Sequence, residues 1–261
     1  MKVIAIASGS SGNCTFVETD GTRVLIDCGI SVSSAVRELS NLDIEPSSID
    51  AILVTHEHRD HIDGVFPFAR RFGVPVYLNP LTFGSTKKKN NGVVIQHFST
   101  GDTFNLGNAD IEAFSISHDT ADPVGYMLRS CEGDVVQATD LGRANGRMAD
   151  LFEAARVIVM DFNHDLEMLV KGPYPVYLKE RIAGMKGHLS NETAAKFLAD
   201  LDLPNLEALF LAHLSRTNNL PKLARNSARS IFENRSRKPQ IITADQYRVR
   251  GVEFQPQKSN N

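Results

Sequence analysis

Seven residues directly behind an apolar run constrain this chain more than any other feature. Residues 49–54 are followed by Thr55-His56-Glu57-His58-Arg59-Asp60-His61. A strand made of Ala51, Ile52, Leu53 and Val54 leaves its sheet at Thr55, so three imidazoles and a carboxylate gather in the turn at its C-terminal end. Open α/β sheets keep their chemistry there. His56 and His58, two apart in extended chain, point the same way and can grip one cation. Asp60 and His61, turning into the next helix, can grip a second. The plainer alternative is a solvated turn in which Asp60 only caps the helix, but crowding three imidazoles costs free energy unless a cation uses them.

The remaining chain supplies a sandwich around this turn. Its 261 residues, 42% hydrophobic, can bury the core of one large domain or two fused halves. A formal charge of −3 provides no global attraction to nucleic acid, so such binding requires a local basic patch. A β pattern begins at once in residues 1–7 without a secretory leader, and no apolar run reaches the ~18 residues needed to span a bilayer. A cytoplasmic location without membrane association is expected. Cys14, Cys28 and Cys131 form no C-x-x-C pair and read as reduced packing residues.

Ser8-Gly9-Ser10-Ser11-Gly12-Asn13 lacks the Gly-Lys-Ser/Thr ending of a P-loop and reads either as a tight turn or as a loop lining the active site. Asp20-Gly21 marks a hairpin, residues 33–42 a helix with Val36 and Leu39 inward, 61–72 another helix, and 74–78 and 93–98 strands. Lys87-Lys88-Lys89 reads as a solvated loop and His97 as an ordinary strand histidine. Hairpins follow around Gly107-Asn108 and Glu132-Gly133-Asp134. Helices are expected over 144–155, 166–170, 176–183, 191–201 and 221–232, and strands over 157–160, 206–212 and 239–244. Residues 1–254 are expected to form a single domain and 255–261 a disordered polar tail.

His118 in Ser117-His118-Asp119, Asp140 in Thr139-Asp140-Leu141-Gly142, and His213 in Ala212-His213-Leu214-Ser215 also follow expected strands. The spacing His-x-His-x-Asp-His resembles the signature of the metallo-β-lactamase superfamily. That resemblance implies an α/β fold, a four-layer αβ/βα sandwich. It also implies two divalent metal ions, zinc or manganese with iron as an alternative. By the superfamily pattern His56, His58 and His118 would hold one metal, Asp60, His61 and His213 the other, and Asp140 would bridge them. Two cations ~3.5–4 Å apart lower the pKa of a shared water and stabilise attacking and leaving oxygens, which favours phosphodiesters. A bridging aspartate at Asp140 resembles the phosphodiesterase relatives rather than the β-lactamases.

Gly187-His188-Leu189-Ser190-Asn191-Glu192 looks like the histidine motif of ribonuclease Z relatives, with His188 as general acid oriented by Asp161 or His164 and with Asp60 also counted among the catalytic groups. Capping of the next helix by Ser190 or Asn191 is compatible with that role. Over nearly the whole chain the resemblance is to WalJ/YycJ-type metallo-hydrolases. It is carried by the Ser8 loop, the His56 cluster, Asp122-Pro123-Val124-Gly125-Tyr126, Asn163-His164-Asp165, Gly172-Pro173-Tyr174-Pro175 and Asn218-Asn219. Arg59 and Asp161 stand where a serine and a glutamate are expected. The family implies 5′-to-3′ exonuclease action on DNA. Ser10, Asn13, Lys179, Arg181, Asn191, Arg216 and the lysines at 87–89 would hold substrate by sequence-blind contacts. Ribonuclease Z relatives that process tRNA carry a projecting arm between the positions of His118 and Asp140, and residues 119–139 leave no room for one. The alternatives are a small cyclic phosphodiesterase and a thioester or lactone hydrolase of the glyoxalase II type.

Overall fold

Central strands buried on both faces carry apolar side chains at nearly every position, and this chain has several. The computed structural model describes residues 1–86 and 90–255, so the lysine run at 87–89 and residues 256–261 of the expected tail lie outside the described residues. One sheet contains β1 (Lys2–Ala7), β2 (Cys14–Thr19), β3 (Thr22–Ile26), β4 (Ala51–Leu53), β5 (Val76–Tyr77) and β6 (Ile95–Gln96). The other contains β7 (Thr103–Leu106), β8 (Ala109–Ser115), β9 (Val124–Arg129), β10 (Val135–Ala138), β11 (Val157–Asp161), β12 (Ala208–Ala212) and β13 (Gln240–Thr243). A last strand, β14 (Arg250–Glu253), crosses back and pairs antiparallel with β1.

Side-chain alternation assigns the layers. Val3 and Ala5 of β1 join Val157 and Val159 of β11 and Ala208 and Phe210 of β12 in a core between the sheets. Ile4 and Ile6 face outward onto helices α1 (Val32–Asn41) and α3 (Val65–Phe72). Ile158, Met160, Leu209 and Leu211 face the opposite way, onto α5 (Gly146–Ala154), α8 (Asn191–Ala199) and α9 (Pro221–Phe232). The result is the four-layer αβ/βα sandwich. Three short helices complete it: α2 (Arg59–Ile62), α4 (Pro80–Ser85) and α6 (Leu166–Lys171), with α7 (Val176–Ala183) beside the last. Among the described residues no helix is long and apolar enough to cross a membrane.

Several elements differ from expectation. The helix read over 61–72 is two helices, because Gly64 presses on the neighbouring loop: a Cβ there would lie 2.1 Å from the Ile30 carbonyl oxygen. Helix α4 was not anticipated, although Asn79 accepts from the Thr82 amide at 2.8 Å and Pro80 opens the first turn. Strand β14 was also missed; its polar sequence, with Val252 alone half-buried, shows little periodicity and depends on β1 for pairing.

The two sheets are joined where the chemistry lies. Tyr126 donates its hydroxyl to the Val54 carbonyl at 2.6 Å and the Val124 amide donates to the Thr55 carbonyl at 3.0 Å, so β9 fixes the end of β4. The turn behind β4 is clasped by two loops of its own sheet. The Asn13 amide donates to the Asp60 carbonyl at 2.7 Å and the Cys28 amide to the His61 carbonyl at 3.0 Å. Gly29 lies so close that a Cβ would sit 1.6 Å from the Asp60 carbonyl oxygen. Gly29→Ala should therefore force backbone movement and destabilise the protein by about 1–3 kcal/mol, read by denaturant unfolding, with loss of bound metal. Gly84→Ala, in α4 with nothing within 4 Å of the new methyl, should instead stabilise by about 0.5–1 kcal/mol.

Candidate metal centre

Left-handed backbone is uncommon outside glycine and is tolerated best by aspartate, asparagine and histidine. Three residues behind strands adopt it here: Asp27 after β3 (φ 59°), Asp140 after β10 (φ 57°) and His213 after β12 (φ 54°). Each is buried. The kink turns side chains that would otherwise follow the strand into the space between the sheets' C-terminal ends. Local strain of this kind costs about 1–3 kcal/mol per residue and collects at functional sites.

All seven expected ligands converge there. His58 Nδ1 and His118 Nε2 are 3.3 Å apart and group with His56. Asp60, His61 and His213 form a second group, with Asp60 Oδ2 3.6 Å from His61 Nε2 and 3.5 Å from His213 Nε2. Asp140 lies between them, its Oδ2 3.0 Å from His61 Nε2 and its Oδ1 3.5 Å from His213 Nε2 and 3.7 Å from His118 Nε2. The His61–Asp140 approach lacks hydrogen-bond alignment, and Asp140 Oδ2, His56 Nε2 and His213 Nε2 are buried without any hydrogen-bond partner. Buried polar atoms are ordinarily paired. Lone pairs of this donor set, orphaned and aimed at common points, fit divalent cations.

A set of supporting residues, largely invisible in sequence, fixes the ring orientations. Asp27, fully buried, accepts from the Thr55 amide at 2.8 Å, from the Thr55 hydroxyl at 2.8 Å and from His61 Nδ1 at 2.7 Å. Thr55 Oγ1, its proton committed to Asp27, accepts from His56 Nδ1 at 2.9 Å. His118 donates Nδ1–H to the Gly187 carbonyl at 3.2 Å. In these three imidazoles the proton on Nδ1 leaves Nε2 free to bind metal. The His213 amide donates to Ser8 Oγ at 2.8 Å, and Asn163 Nδ2 donates to the His213 carbonyl at 2.7 Å. The available signal for Asp27 was an acidic residue directly behind the strand of Val24, Leu25 and Ile26.

Electrostatics sort the ligands into two classes. Burial, helped by His61, holds His56 well below its ordinary pKa, and burial likewise lowers His118. Burial also opposes protonation of His61 and His213 but loses to nearby carboxylates: Asp140 and Asp27 raise His61 well above its usual value, and Asp140 with Asp60 brings His213 up to about 9. For Asp140 burial is outweighed by His213 and His61, which hold it well below the carboxylate range. Without metal, two imidazolium groups thus stand against the carboxylates of Asp27, Asp60 and Asp140.

His188 sits over this cluster, its ring stacked on His213 at 5.0 Å between centroids. Its Nδ1 is 3.0 Å from Asp161 Oδ2, which also accepts from the Leu141 amide at 3.1 Å. The aspartate arm therefore reaches. Of the two expected orienting groups, Asp161 makes the contact; His164 is buried with Nδ1 unpaired and its pKa lowered to about 4 by burial and then by His188.

The expected substrate contacts fare unevenly. Asn191 is a correction: it is fully buried, paired with Asn219 at 2.9 Å, and serves the interior rather than a substrate surface. Asn13 turns onto the ligands, 2.9 Å from His61 Nε2 and 3.2 Å from Asp60 Oδ2. Ser10 and Arg216 are exposed near it. Arg181 is tied to Asp119 at 2.6 Å and Lys179 to the Val170 carbonyl at 2.6 Å. Arg59 points away to Asp63, and His97, exposed, bonds the Leu78 carbonyl at 3.0 Å outside the cluster.

The Beta-lactamase superfamily domain model matches residues 22–214, a span that carries every one of the seven ligands. This chain belongs to the beta-lactamase superfamily. Within that superfamily it is 36% identical over 233 residues to the exodeoxyribonuclease YycJ of Bacillus anthracis, covering 88% of both chains. It is 38% identical over 228 residues to the exodeoxyribonuclease WalJ of Streptococcus pneumoniae D39, covering 85% of both. The Zn(2+)-bound PqqB of Methylobacterium extorquens shares the fold, with a TM-score of 0.72 at 16% identity over 97% of this chain and 100% of that one. As a superfamily member with this donor set, the chain is a metal-dependent hydrolase.

Metal must displace the protons of His61 and His213. Binding to metal-free protein at pH 7 should release about two protons per chain. Below the usual histidine range His56 and His118, lowered by burial, also protonate, so affinity should fall further as pH falls. Calorimetry in buffers of different ionisation enthalpy counts the protons. Asp27→Ala should weaken metal binding about 10–100-fold.

Proposed function

We propose that this protein is a dinuclear metal-dependent phosphodiesterase that degrades DNA from an end in the 5′-to-3′ direction, in the cytoplasm. The observation that carries the reading is His188: an imidazole stacked over the ligand cluster and held through Nδ1 by buried Asp161. A phosphodiester's leaving alkoxide needs a proton, whereas a thioester's thiolate does not, so a positioned acid favours phosphodiester over thioester cleavage.

Bound by His56, His58 and His118 on one side and Asp60, His61 and His213 on the other, with Asp140 shared, two divalent ions would supply an activated water and neutralise phosphate charge. Zinc and manganese both suit these donors. The chain's own residues do the rest. Asp161 fixes the His188 ring, leaving Nε2 as the nitrogen that carries the proton to the leaving oxygen. Asp60, its pKa lowered because burial is outweighed by the nearby imidazoles of His213 and His61, would accept a hydrogen bond from the activated water. Asp27 and Thr55 keep His56 and His61 in the tautomer that faces the reaction.

The names of the YycJ and WalJ relatives support DNA as substrate. The interval from Asp119 to Thr139 holds β9 and β10 and no projecting element, which supports a strand end over a folded tRNA. A small cyclic phosphodiester is the second reading, and it predicts weak salt dependence.

His188→Ala should retain both metals and lose about 10²–10⁴-fold in turnover on DNA. The loss should shrink on bis(p-nitrophenyl) phosphate, whose leaving group needs no proton. An equal loss on both substrates removes His188 as the acid. In one assay, linear duplex should be degraded, and precursor tRNA and a cyclic nucleotide should be left largely intact; 5′- and 3′-labelled strands read the direction.

A further inference from the structure

The two rims of the metal centre differ in charge. On the α7 side Arg181 is neutralised by Asp119, and the exposed surface is apolar, with Val176, Tyr177 and Met185 each about 70% exposed. The opposite rim is cationic. Arg225 reaches Thr243 at the C-terminal end of β13, Arg216 bonds Tyr247 in the turn that follows, and that turn carries Arg248 and leads to Arg250 of β14, in a chain whose overall charge is −3. Lys222, Arg229, Arg248 and Arg250 are exposed, and among the described residues none has a carboxylate within ion-pair distance.

Arg225 and Arg250 line a groove. It has a volume of about 420 Å³ and runs between Arg225 of α9, Thr243 at the end of β13 and Arg250 of β14. Asp245, the acid in its lining, is spent on the backbone amides of Tyr247 and Arg248 at 2.8 and 3.1 Å. The turn behind β13 links this groove to the loop beside the metal centre: Asp245, in the lining, accepts from the Ser8 amide through its carbonyl at 3.1 Å. There Gln246 clasps the Ser8 loop, accepting from the Ser11 amide at 2.9 Å and donating to the Gly12 carbonyl at 2.9 Å. The next residue in that loop, Asn13, touches Asp60 and His61. In the same turn stands Tyr247, 69% exposed, with its hydroxyl 2.9 Å from Arg216 Nη1 and the guanidinium 5.3 Å from its ring centroid. Arg216 follows the ligand His213 by three residues.

We propose that this surface is the strand-binding track of the enzyme. Tyr247, braced by Arg216, stacks a nucleobase next to the scissile phosphate, and Arg248 beside it and the groove lined by Arg225 and Arg250 receive the phosphates of the following nucleotides. Aromatic faces combined with cations that follow the backbone bind single strands without reading sequence. The proposal rests on the nuclease reading and gives it a path: the single strand leaves the metals over β13 and β14, not over α7.

The test is steady-state hydrolysis and binding of a labelled single strand across a salt series, with the metal-loaded protein. Arg248→Ala/Arg250→Ala should raise KM by on the order of tenfold and flatten the log–log salt slope by about 0.7 per arginine removed. Tyr247→Ala should raise KM by on the order of tenfold with little change of salt slope, and Tyr247→Phe should restore it. Since these side chains are exposed, thermal melting of each variant should match the parent. Unchanged KM and slope in the arginine double variant overturn the track, and a loss found instead in Lys179→Ala/Arg181→Ala places the strand over α7. If the parent hydrolyses bis(p-nitrophenyl) phosphate but cuts no DNA, the nuclease reading fails and the track with it.

Discussion

A carboxylate sealed among imidazoles sets the terms for this molecule. Asp140 is 2% exposed, with ring nitrogens of His61, His118, His188 and His213 within 3.0 to 3.7 Å of its oxygens. Burying an ion without compensation costs several kcal/mol, so such a group persists where positive charge is guaranteed. Protons on His61 and His213 supply it in the metal-free protein, and divalent cations supply it better. The strained backbone at Asp27, Asp140 and His213 makes sense in this light. It spends folding free energy to bring charges together at a point that metal binding then stabilises.

Burial is also what makes the supporting bonds matter. Asp27 belongs to none of the candidate metal groups, yet through Thr55 and His61 it decides which nitrogen of two imidazoles carries a proton. The chain closes on itself: Asp27 follows β3, Thr55 follows β4, and the parallel pairing of those strands brings the residues together. A shift of one residue in that register would turn every side chain over and scatter the network. The apolar alternation that fills the intersheet core therefore also specifies the metal tautomers.

That link explains which parts were legible in sequence. The ligands are short motifs behind apolar runs, and both the apolar period and the ligand types can be read locally. His188 could be read through resemblance with Asp161 or His164 as its orienting group, and the choice between them, with whether the shorter arm reached, needed the 3.0 Å contact to Asp161. Asp27, Ser8, Asn163 and Asp119 could not be read, since each acts across sheet neighbours or layers distant in sequence. Asn191 failed for the opposite reason: a polar residue in a site-like motif lies at the first turn of α8, where α8 and the segment before α9 bury it against Asn219. Strand β14 escaped because its partner is residues 2–5.

Net charge was the weakest guide, and the structure shows why. A total of −3 averages over a surface on which Arg23, Arg129, Arg156 and Arg181 are each held by a glutamate or aspartate. Those pairs contribute little to any external field. Arg225, Arg248 and Arg250, none paired with a carboxylate among the described residues, gather beside the C-terminal end of β13, and field from a cleft lined by one sign of charge falls off less than that of scattered pairs. Association with a polyanion responds to that local arrangement, so an acidic protein can still draw a nucleic acid strand to one side of its site. The same argument separates the two readings of substrate: a cyclic nucleotide carries one phosphate and gains nothing from a track of cations beyond the metals, whereas a strand gains with each phosphate it lays along it.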